Sequence, residues 1–192
     1  MTKSELRKIY LAKRRSISPA DHAELSARIA ASLFERFDLA AIKTIHCFIS
    51  LKHTGEVETS GIFERLWADF PHVKTLAPRI NDETGDIDSL LFTSGTKLVE
   101  NNWKIPEPTD GDVVDPGEID IVLVPLVCFD ERGYRVGYGK GFYDRFLGKC
   151  RSDCLKIGLS FFPSVEKIDD VHEGDIPLDF CVTPEWTIAT KK

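Results

Sequence analysis

The chain has 192 residues, a formal net charge of −6, 42% hydrophobic residues and 29% charged residues. This composition is typical of a soluble globular protein, and the length favours one domain that buries a core without disulfides or metals. The acidic balance argues against nucleic acid as the main partner, because phosphate backbones are held by clustered Lys and Arg. No apolar run is long enough to span a bilayer and no signal-peptide core is visible, so we expect a cytoplasmic protein without a membrane partner.

Two helices are predicted at the N-terminus. The first covers residues 4–16, where apolar side chains recur at three-four spacing. The first fifteen residues carry six basic residues and one acidic residue, which fits a solvated helix face, a transit peptide or a phosphate-binding element. The second helix is predicted to begin after Ser18, which can cap it, with Pro19 at the first helical position.

Alternating strands and helices are predicted for the remainder of the chain. Apolar runs bounded by turn residues predict strands over residues 44–51, 73–77, 87–93, 119–129, 155–161 and 181–183, and helical spacing predicts helices over 58–70 and 142–148. Pro78 and Arg79 are expected to end the second strand, and residues 101–117 to form a long loop. The alternation predicts one α/β domain over residues 1–192, with three layers and a largely parallel sheet flanked by helices.

Five cysteines occur at positions 47, 128, 150, 154 and 181, and none of them forms a CxxC pair. A structural metal site would need more ligands at suitable spacing. We therefore expect five reduced thiols, as in a reducing compartment.

The densest chemical signal is the segment 130–145, in which glycines alternate at positions 137, 139 and 141. Alternating glycines allow unusual φ values and bring backbone N–H groups close to an anion. The predicted helix that follows would add its N-terminal N–H groups, and the preceding strand would place the loop where open α/β sheets bind ligands. We therefore predict a phosphate-binding loop.

Charged side chains beside this loop support the same prediction. Arg135, Lys140 and Arg145 add positive charge, and Asp144 supplies an oxygen ligand suited to Mg²⁺. The pattern is neither a Walker loop nor a Rossmann fingerprint, and without its charged neighbours a GxGxG sequence would be a weak signal.

The segment 124–145 resembles the signature of 5-formyltetrahydrofolate cyclo-ligases, also called 5,10-methenyltetrahydrofolate synthetases. Shorter motifs of that family are matched in order by K-x-x-L-R from residue 3, G-E-V-E-T from residue 55, W-K-I-P-E-P from residue 103, and D-I-P-L-D from residue 175 with V-T at 182–183. The resemblance therefore covers nearly the whole chain.

The resemblance implies a reaction and a fold. The family uses ATP and Mg²⁺ to convert 5-formyltetrahydrofolate into 5,10-methenyltetrahydrofolate, ADP and phosphate, on an α/β fold related to those of sugar-phosphate isomerases. Phosphorylation of the formyl oxygen would create a leaving group and allow N10 of the folate to attack, so the protein would mainly position groups and neutralise charge. The implied partners are a reduced folate and ATP, and we expect a monomer.

The resemblance also implies site residues. The ATP site would comprise Lys3, Arg7, Arg135, Val136, Gly137, Tyr138, Gly139, Lys140, Gly141, Phe142 and Tyr143. The folate site would comprise Ile49, Glu56, Trp103, Tyr138, Gly139, Lys140, Gly141 and Phe142, with Tyr143 beside them. Arg135, Lys140 and Tyr143 are the catalytic candidates, and Asp144 and Asp175 would hold Mg²⁺. In many relatives Gly replaces Lys140, and a His often precedes the residue that matches Asp175, where this chain has Gly174.

The basic first helix receives a more specific prediction. Lys3 and Arg7 are four residues apart and share a helix face, so both are expected to reach the ATP phosphates. Lys8, Arg14 and Arg15 are expected to lie elsewhere and to matter little.

Two other functions stay open at this point. One is a phosphosugar-binding isomerase or transferase on a similar sheet, and the other is a protein that binds a folate, a nucleotide or RNA without catalysis. The Lys3 and Arg7 pair and Asp144 favour the ligase, because an isomerase needs no clamp for Mg·ATP.

Overall fold

Two helices begin the fold in the computed structural model, which describes residues 1–101 and 104–190. Helix α1 spans Lys3–Arg15 and helix α2 spans Pro19–Arg36, as predicted. The side chain of Ser18 accepts a hydrogen bond from a backbone N–H of the first turn of α2. Thr2 and Glu5 form a capping box at the start of α1.

Two further helices and two short 3₁₀ turns complete the helical part. Helix α3 spans Ser60–Asp69, helix α4 spans Phe142–Leu147, and the 3₁₀ turns are Lys52–Thr54 and Pro116–Glu118. Helix α3 begins two residues later than predicted. Thr59 is held outside the helix, because its backbone N–H donates to Ser50 Oγ and its hydroxyl donates to the Phe48 carbonyl. Among the described residues, no helix combines the length and the apolar character needed to cross a membrane.

Twelve strands are found in the described residues. They are β1 Thr44–Cys47, β2 Lys74–Ile80, β3 Ile87–Leu91, β4 Leu98–Glu100, β5 Pro106–Pro108, β6 Val113–Val114, β7 Ile121–Pro125, β8 Cys128–Phe129, β9 Arg135–Val136, β10 Leu155–Leu159, β11 Phe180–Val182 and β12 Thr187–Ala189. Eight of them form one sheet in the order β12-β11-β10-β7-β1-β2-β3-β6. The five central strands are parallel and the edge pairs are antiparallel, which confirms the predicted α/β fold.

The central strand β7 shows why the fold has three layers. Ile121 and Leu123 pack into the core cluster that also contains α2 and α3 residues, whereas Val122 and Val124 pack into the cluster that contains α4 residues. Alternate side chains of one strand point to opposite faces of a sheet, so both faces of β7 are covered. This double burial explains the continuous apolar run in the sequence.

Several predicted strand boundaries were wrong. The strands predicted over residues 44–51, 87–93 and 155–161 end earlier, at Cys47, Leu91 and Leu159. Strand β2 continues past Pro78 to Ile80, because its pairing with β1 ends at Leu76 and the missing N–H of Pro78 falls on that unpaired side. The predicted strand 119–129 is two strands, because β8 leaves the sheet to pair with β9 and the Leu126 carbonyl between β7 and β8 binds a side chain of α1.

The predicted loop 101–117 was also partly wrong. It contains β5 and β6, which pair with β4 and β3, and part of the second 3₁₀ turn. These strands have two or three residues each, so they are too short to show a period of two in the sequence. All five cysteines are free thiols, as expected.

Candidate functional site

A cavity of about 860 Å³ opens beside the carboxyl ends of the central parallel strands. Phe48 and Ile49, which follow β1, and Pro125, which ends β7, lie in its wall. This is the edge at which open α/β sheets collect ligands. The cavity is therefore the candidate active site.

Most residues that the sequence singled out line this cavity. They are Lys3, Arg7, Ile49, Glu56, Arg135, Gly137, Tyr138, Gly139, Lys140, Gly141, Phe142, Tyr143, Asp144 and Asp175. Val136 does not, because its fully buried side chain packs with Leu6, Val127 and Cys128 beneath α1. Trp103 lies outside the described residues, although Ile105 of the same motif is in the wall.

The glycine-rich loop at residues 137–141 connects the β8–β9 hairpin to α4. Gly139 has φ +87° and Gly141 has φ +67°, a left-handed conformation that other residues rarely adopt. The Arg7 guanidinium lies against the loop: its Nε donates to the Gly137 carbonyl at 2.7 Å, and a Cβ at Gly139 would be 3.6 Å from its Nη2. The predicted need for glycine thus holds for conformation at positions 139 and 141.

Both candidate metal ligands take part in ion pairs. Asp144 Oδ1 accepts from Arg135 Nη2 at 2.8 Å and from the Ile176 N–H at 3.2 Å, and Asp175 Oδ2 accepts from Lys3 Nζ at 2.5 Å. Burial alone would raise the pKa of Asp175, but the Lys3 ammonium and the His172 N–H and ring together outweigh it, and the net shift is downward. Burial lowers the pKa of the Arg135 guanidinium, and the Asp144 carboxylate opposes that shift.

These two carboxylates fit Mg²⁺ better than a metal ion that is coordinated only by protein side chains. In residues 1–101 and 104–190, no cluster of three or more His, Cys, Asp or Glu side chains could hold a metal ion. Mg²⁺ is commonly held by one or two carboxylates together with phosphates and water. The hydrogen bonds of Asp144 with other described residues all use Oδ1, which leaves its second oxygen for such a ligand.

A buried glutamate also lines the cavity. Glu56 is 5% exposed, and its Oε2 accepts a hydrogen bond from the Leu51 N–H at 2.8 Å. Burial raises the pKa of its carboxyl, while the Leu51 N–H, the Tyr138 hydroxyl and the Arg14 guanidinium oppose that rise. Such a group can accept hydrogen bonds from a bound ring while water is excluded.

The Tyr143 hydroxyl contacts His46, which in turn contacts Ser89; the sequence did not reveal these buried polar contacts. His46 Nε2 lies 3.3 Å from the Tyr143 hydroxyl, and its Nδ1 lies 2.6 Å from Ser89 Oγ. Burial lowers the pKa of His46 to about 3, so the imidazole is neutral, and burial raises the pKa of Tyr143. A lone His in an apolar strand gives no signal of this contact, because its partners lie on β3 and α4.

The expected placement of Arg14 was wrong. Its guanidinium is buried, donates to the Leu126 carbonyl, and lies 3.1 Å from the Tyr138 hydroxyl. Arg7 and Arg14 are seven residues apart, which is about two helical turns, so they lie on the same face of α1. Lys8 and Arg15 are exposed, as expected.

Comparisons with known proteins agree along the whole chain. A family model described as the 5-formyltetrahydrofolate cyclo-ligase family matches residues 1–184. The chain is 32% identical over 183 residues to the 5-formyltetrahydrofolate cyclo-ligase of Escherichia coli K12, covering 91% of this chain and 98% of that protein.

Solved structures give the same result. The 5,10-methenyltetrahydrofolate synthetase of Aquifex aeolicus superposes with a TM-score of 0.85 at 30% identity, covering 100% of this chain and 94% of that one. The 5,10-methenyltetrahydrofolate synthetase of Mycoplasma pneumoniae superposes with a TM-score of 0.77 at 27% identity, covering 96% of this chain and 100% of that one. The motifs, the fold and these matches lead to one conclusion: the chain belongs to the 5-formyltetrahydrofolate cyclo-ligase family.

Proposed function

We propose that this chain uses ATP to convert 5-formyltetrahydrofolate into 5,10-methenyltetrahydrofolate, and that both substrates meet in the cavity beside residues 137–141. Membership of the family makes the chain an enzyme of this class. One observation supports the location: a single cavity is lined by the basic face of α1, the glycine-rich loop, two carboxylates and a buried glutamate. A cytoplasmic location and a monomeric state stay predictions.

The phosphates of ATP would lie between α1 and the glycine-rich loop. Lys3, Arg7 and Arg135 supply positive charge there, and Gly139 and Gly141 let the backbone approach closely. The Lys140 ammonium, which is exposed in the cavity wall, would add a further contact. Charge-assisted hydrogen bonds of this kind both bind ATP and orient its γ-phosphoryl group.

Asp144 and Asp175 are the residues that would hold Mg²⁺. When bound, the ion would neutralise charge on the transferring phosphoryl group. Lys3 pairs with Asp175 and Arg135 pairs with Asp144, so both cations would then lie beside the phosphates as well. This arrangement concentrates positive charge where negative charge develops during phosphoryl transfer.

The folate would occupy the side of the cavity that is formed by Ile49, Glu56, Tyr138 and Phe142. The Glu56 carboxylate would accept hydrogen bonds from N–H groups of the pterin ring, and the aromatic rings would pack against it. Tyr143, fixed by His46, would lie between the two substrates. Trp103, which lies outside the described residues, stays a predicted residue of this site.

The reaction follows from this placement. The formyl oxygen of a formamide is a poor leaving group, so the γ-phosphoryl group is first transferred onto it and ADP is formed. N10 of the folate then attacks the formyl carbon, the formyl oxygen departs as part of inorganic phosphate, and the proton of N10 is taken up by that phosphate. Arg135 and Lys140 stabilise the charge on the phosphoryl oxygens, and Tyr143 keeps the formyl group close to N10.

Dependence of ADP release on the folate tests this proposal. We expect the purified protein to release ADP at a substantial rate only when 5-formyltetrahydrofolate is present, because the phosphoryl group needs the formyl oxygen as acceptor. Tetrahydrofolate without the formyl group is the matched control and should leave ADP release at its background rate. Equal ADP release with and without 5-formyltetrahydrofolate would contradict the proposal.

A further inference from the structure

Arg14 is a buried cation whose role the proposed function does not explain. It is 3% exposed, and Leu6 is the other buried residue of α1. Its Nε–H is buried and has no hydrogen-bond partner among the described residues. A buried charge with an unpaired donor is a poor source of stability, because a well-packed apolar side chain often does as well.

The contacts of Arg14 connect α1 to the segment after β7 and to the glycine-rich loop. Its Nη2 donates to the Leu126 carbonyl, just beyond the end of β7, and its Nη1 lies 3.1 Å from the Tyr138 hydroxyl. Two turns earlier on the same face, Arg7 holds the Gly137 carbonyl. The two arginines therefore hold consecutive residues of the glycine-rich loop, Arg7 by the backbone and Arg14 by the side chain.

Arg14 also acts on the buried carboxylate of Glu56. The groups that face this carboxyl are the Arg14 guanidinium, the Tyr138 hydroxyl, the Leu51 N–H and the His53 ring. The Tyr143 ring also lies within electrostatic range, and the His22 ring binds the Glu56 carbonyl. The Arg14 guanidinium is therefore one of the groups that oppose the rise in the pKa of the Glu56 carboxyl.

We propose that Arg14 is a positioning residue for the folate half of the cavity, where it fixes the Tyr138 side chain beside the buried Glu56. The proposal rests on the function proposed above. The ATP half has anchors of its own, because Arg7 holds the Gly137 carbonyl and Lys3 pairs with Asp175. Loss of the Arg14 guanidinium should therefore affect the folate more than ATP.

The test compares Arg14→Met with Arg15→Ala, an exposed arginine on the same helix. For Arg14→Met we expect the KM for 5-formyltetrahydrofolate, and the Kd for it measured by calorimetry without ATP, to rise about tenfold or more. The KM for ATP should change less than about threefold. Arg15→Ala should match the wild type in all three quantities.

The dependence of the folate Kd on pH gives a signature that a purely structural role lacks. Without the guanidinium, the pKa of the Glu56 carboxyl rises further, so the carboxylate is lost at a higher pH as the solution is acidified. As the pH is lowered, we expect the folate affinity of Arg14→Met to begin to fall at a higher pH than that of the wild type. The difference in folate Kd between the two proteins should narrow at alkaline pH. Arg14→Lys keeps the charge and should restore the wild-type pH profile while its folate Kd stays raised.

Each outcome decides the matter. A lower Tm with equal changes in both KM values and an unmoved pH profile would overturn the proposal, as would identical behaviour of Arg14→Met and Arg15→Ala. If Arg14→Met does not fold, Arg14→Lys carries the test, and an unchanged folate Kd in that variant would overturn it. If the wild type neither binds nor converts 5-formyltetrahydrofolate, the proposed function is wrong and this proposal falls with it.

Discussion

Asp144→Asn is expected to lower the kcat for 5-formyltetrahydrofolate about a hundredfold or more, which corresponds to roughly 3 kcal/mol. The change removes a carboxylate that would hold Mg²⁺ and also the partner of the buried Arg135 guanidinium, 2.8 Å away. The isosteric amide keeps the shape of the side chain, so the loss is one of charge. Initial rates measured across a Mg²⁺ titration check this. The variant should need more Mg²⁺ to reach its maximal rate, or its rate should depend less on Mg²⁺.

Asp69→Asn provides the matched control, because it also removes a carboxylate from an arginine pair, that of Arg65 on the surface of α3. It should leave kcat and the Mg²⁺ titration unchanged, since exposed pairs contribute little. Near-normal turnover of Asp144→Asn with an unchanged Mg²⁺ titration would show that Asp144 does not hold the ion.

Arg7→Ala is expected to raise the KM for ATP about ten- to a hundredfold, because a charge-assisted contact to phosphate contributes roughly 1.5–3 kcal/mol. Arg7 lies in the cavity wall against Gly137 and Gly139, at the place proposed for the phosphates. The fold should persist, because the buried Leu6 side chain continues to anchor α1. Steady-state rates at saturating 5-formyltetrahydrofolate measure the effect.

Arg15→Ala is again the comparison, and Arg14 is unsuitable because it is buried. Arg15 is exposed, so its loss should change the KM for ATP by less than about threefold, through long-range attraction that salt screens. If the KM for ATP rises equally in both variants and high salt removes the difference from the wild type, α1 acts only as a diffuse basic patch. No loss in either variant would remove Arg7 from the ATP site.

The sequence predicted the fold well where a local signal is strong. Ser18 and Pro19 located the start of α2, and the apolar run of β7 identified a strand that is covered on both faces. The errors at Pro78 and at residues 126–127 have another origin. Both depend on where a neighbouring strand stops pairing, and pairing partners are not encoded in the local pattern.

The site was predicted through one dense motif, and its supporting contacts were not. The loop at 137–141 could be identified because its glycines and charges are adjacent in sequence. The burial of Arg14 could not, because a basic residue in a basic helix is normally exposed and the groups that bind it are more than a hundred residues away. The contact of His46 with Tyr143 was missed because the two residues are 97 positions apart in the sequence.

Family membership decides between the functions that the sequence left open. A phosphosugar isomerase and a binding protein without catalysis share parts of the pattern, but the match extends over residues 1–184 and over 98% of the Escherichia coli relative. What stays to be tested is the chemistry inside the cavity, and above all the acceptor of the phosphoryl group.

An isotope-transfer measurement tests that central claim most directly. 5-Formyltetrahydrofolate labelled with ¹⁸O in the formyl group is converted by the wild-type protein with unlabelled ATP, and the released phosphate is analysed by mass spectrometry. If the formyl oxygen accepts the γ-phosphoryl group, the phosphate formed alongside each methenyl product carries one ¹⁸O atom. Unlabelled phosphate, with the label released into water, would show that ATP is hydrolysed separately from ring closure and would contradict the account.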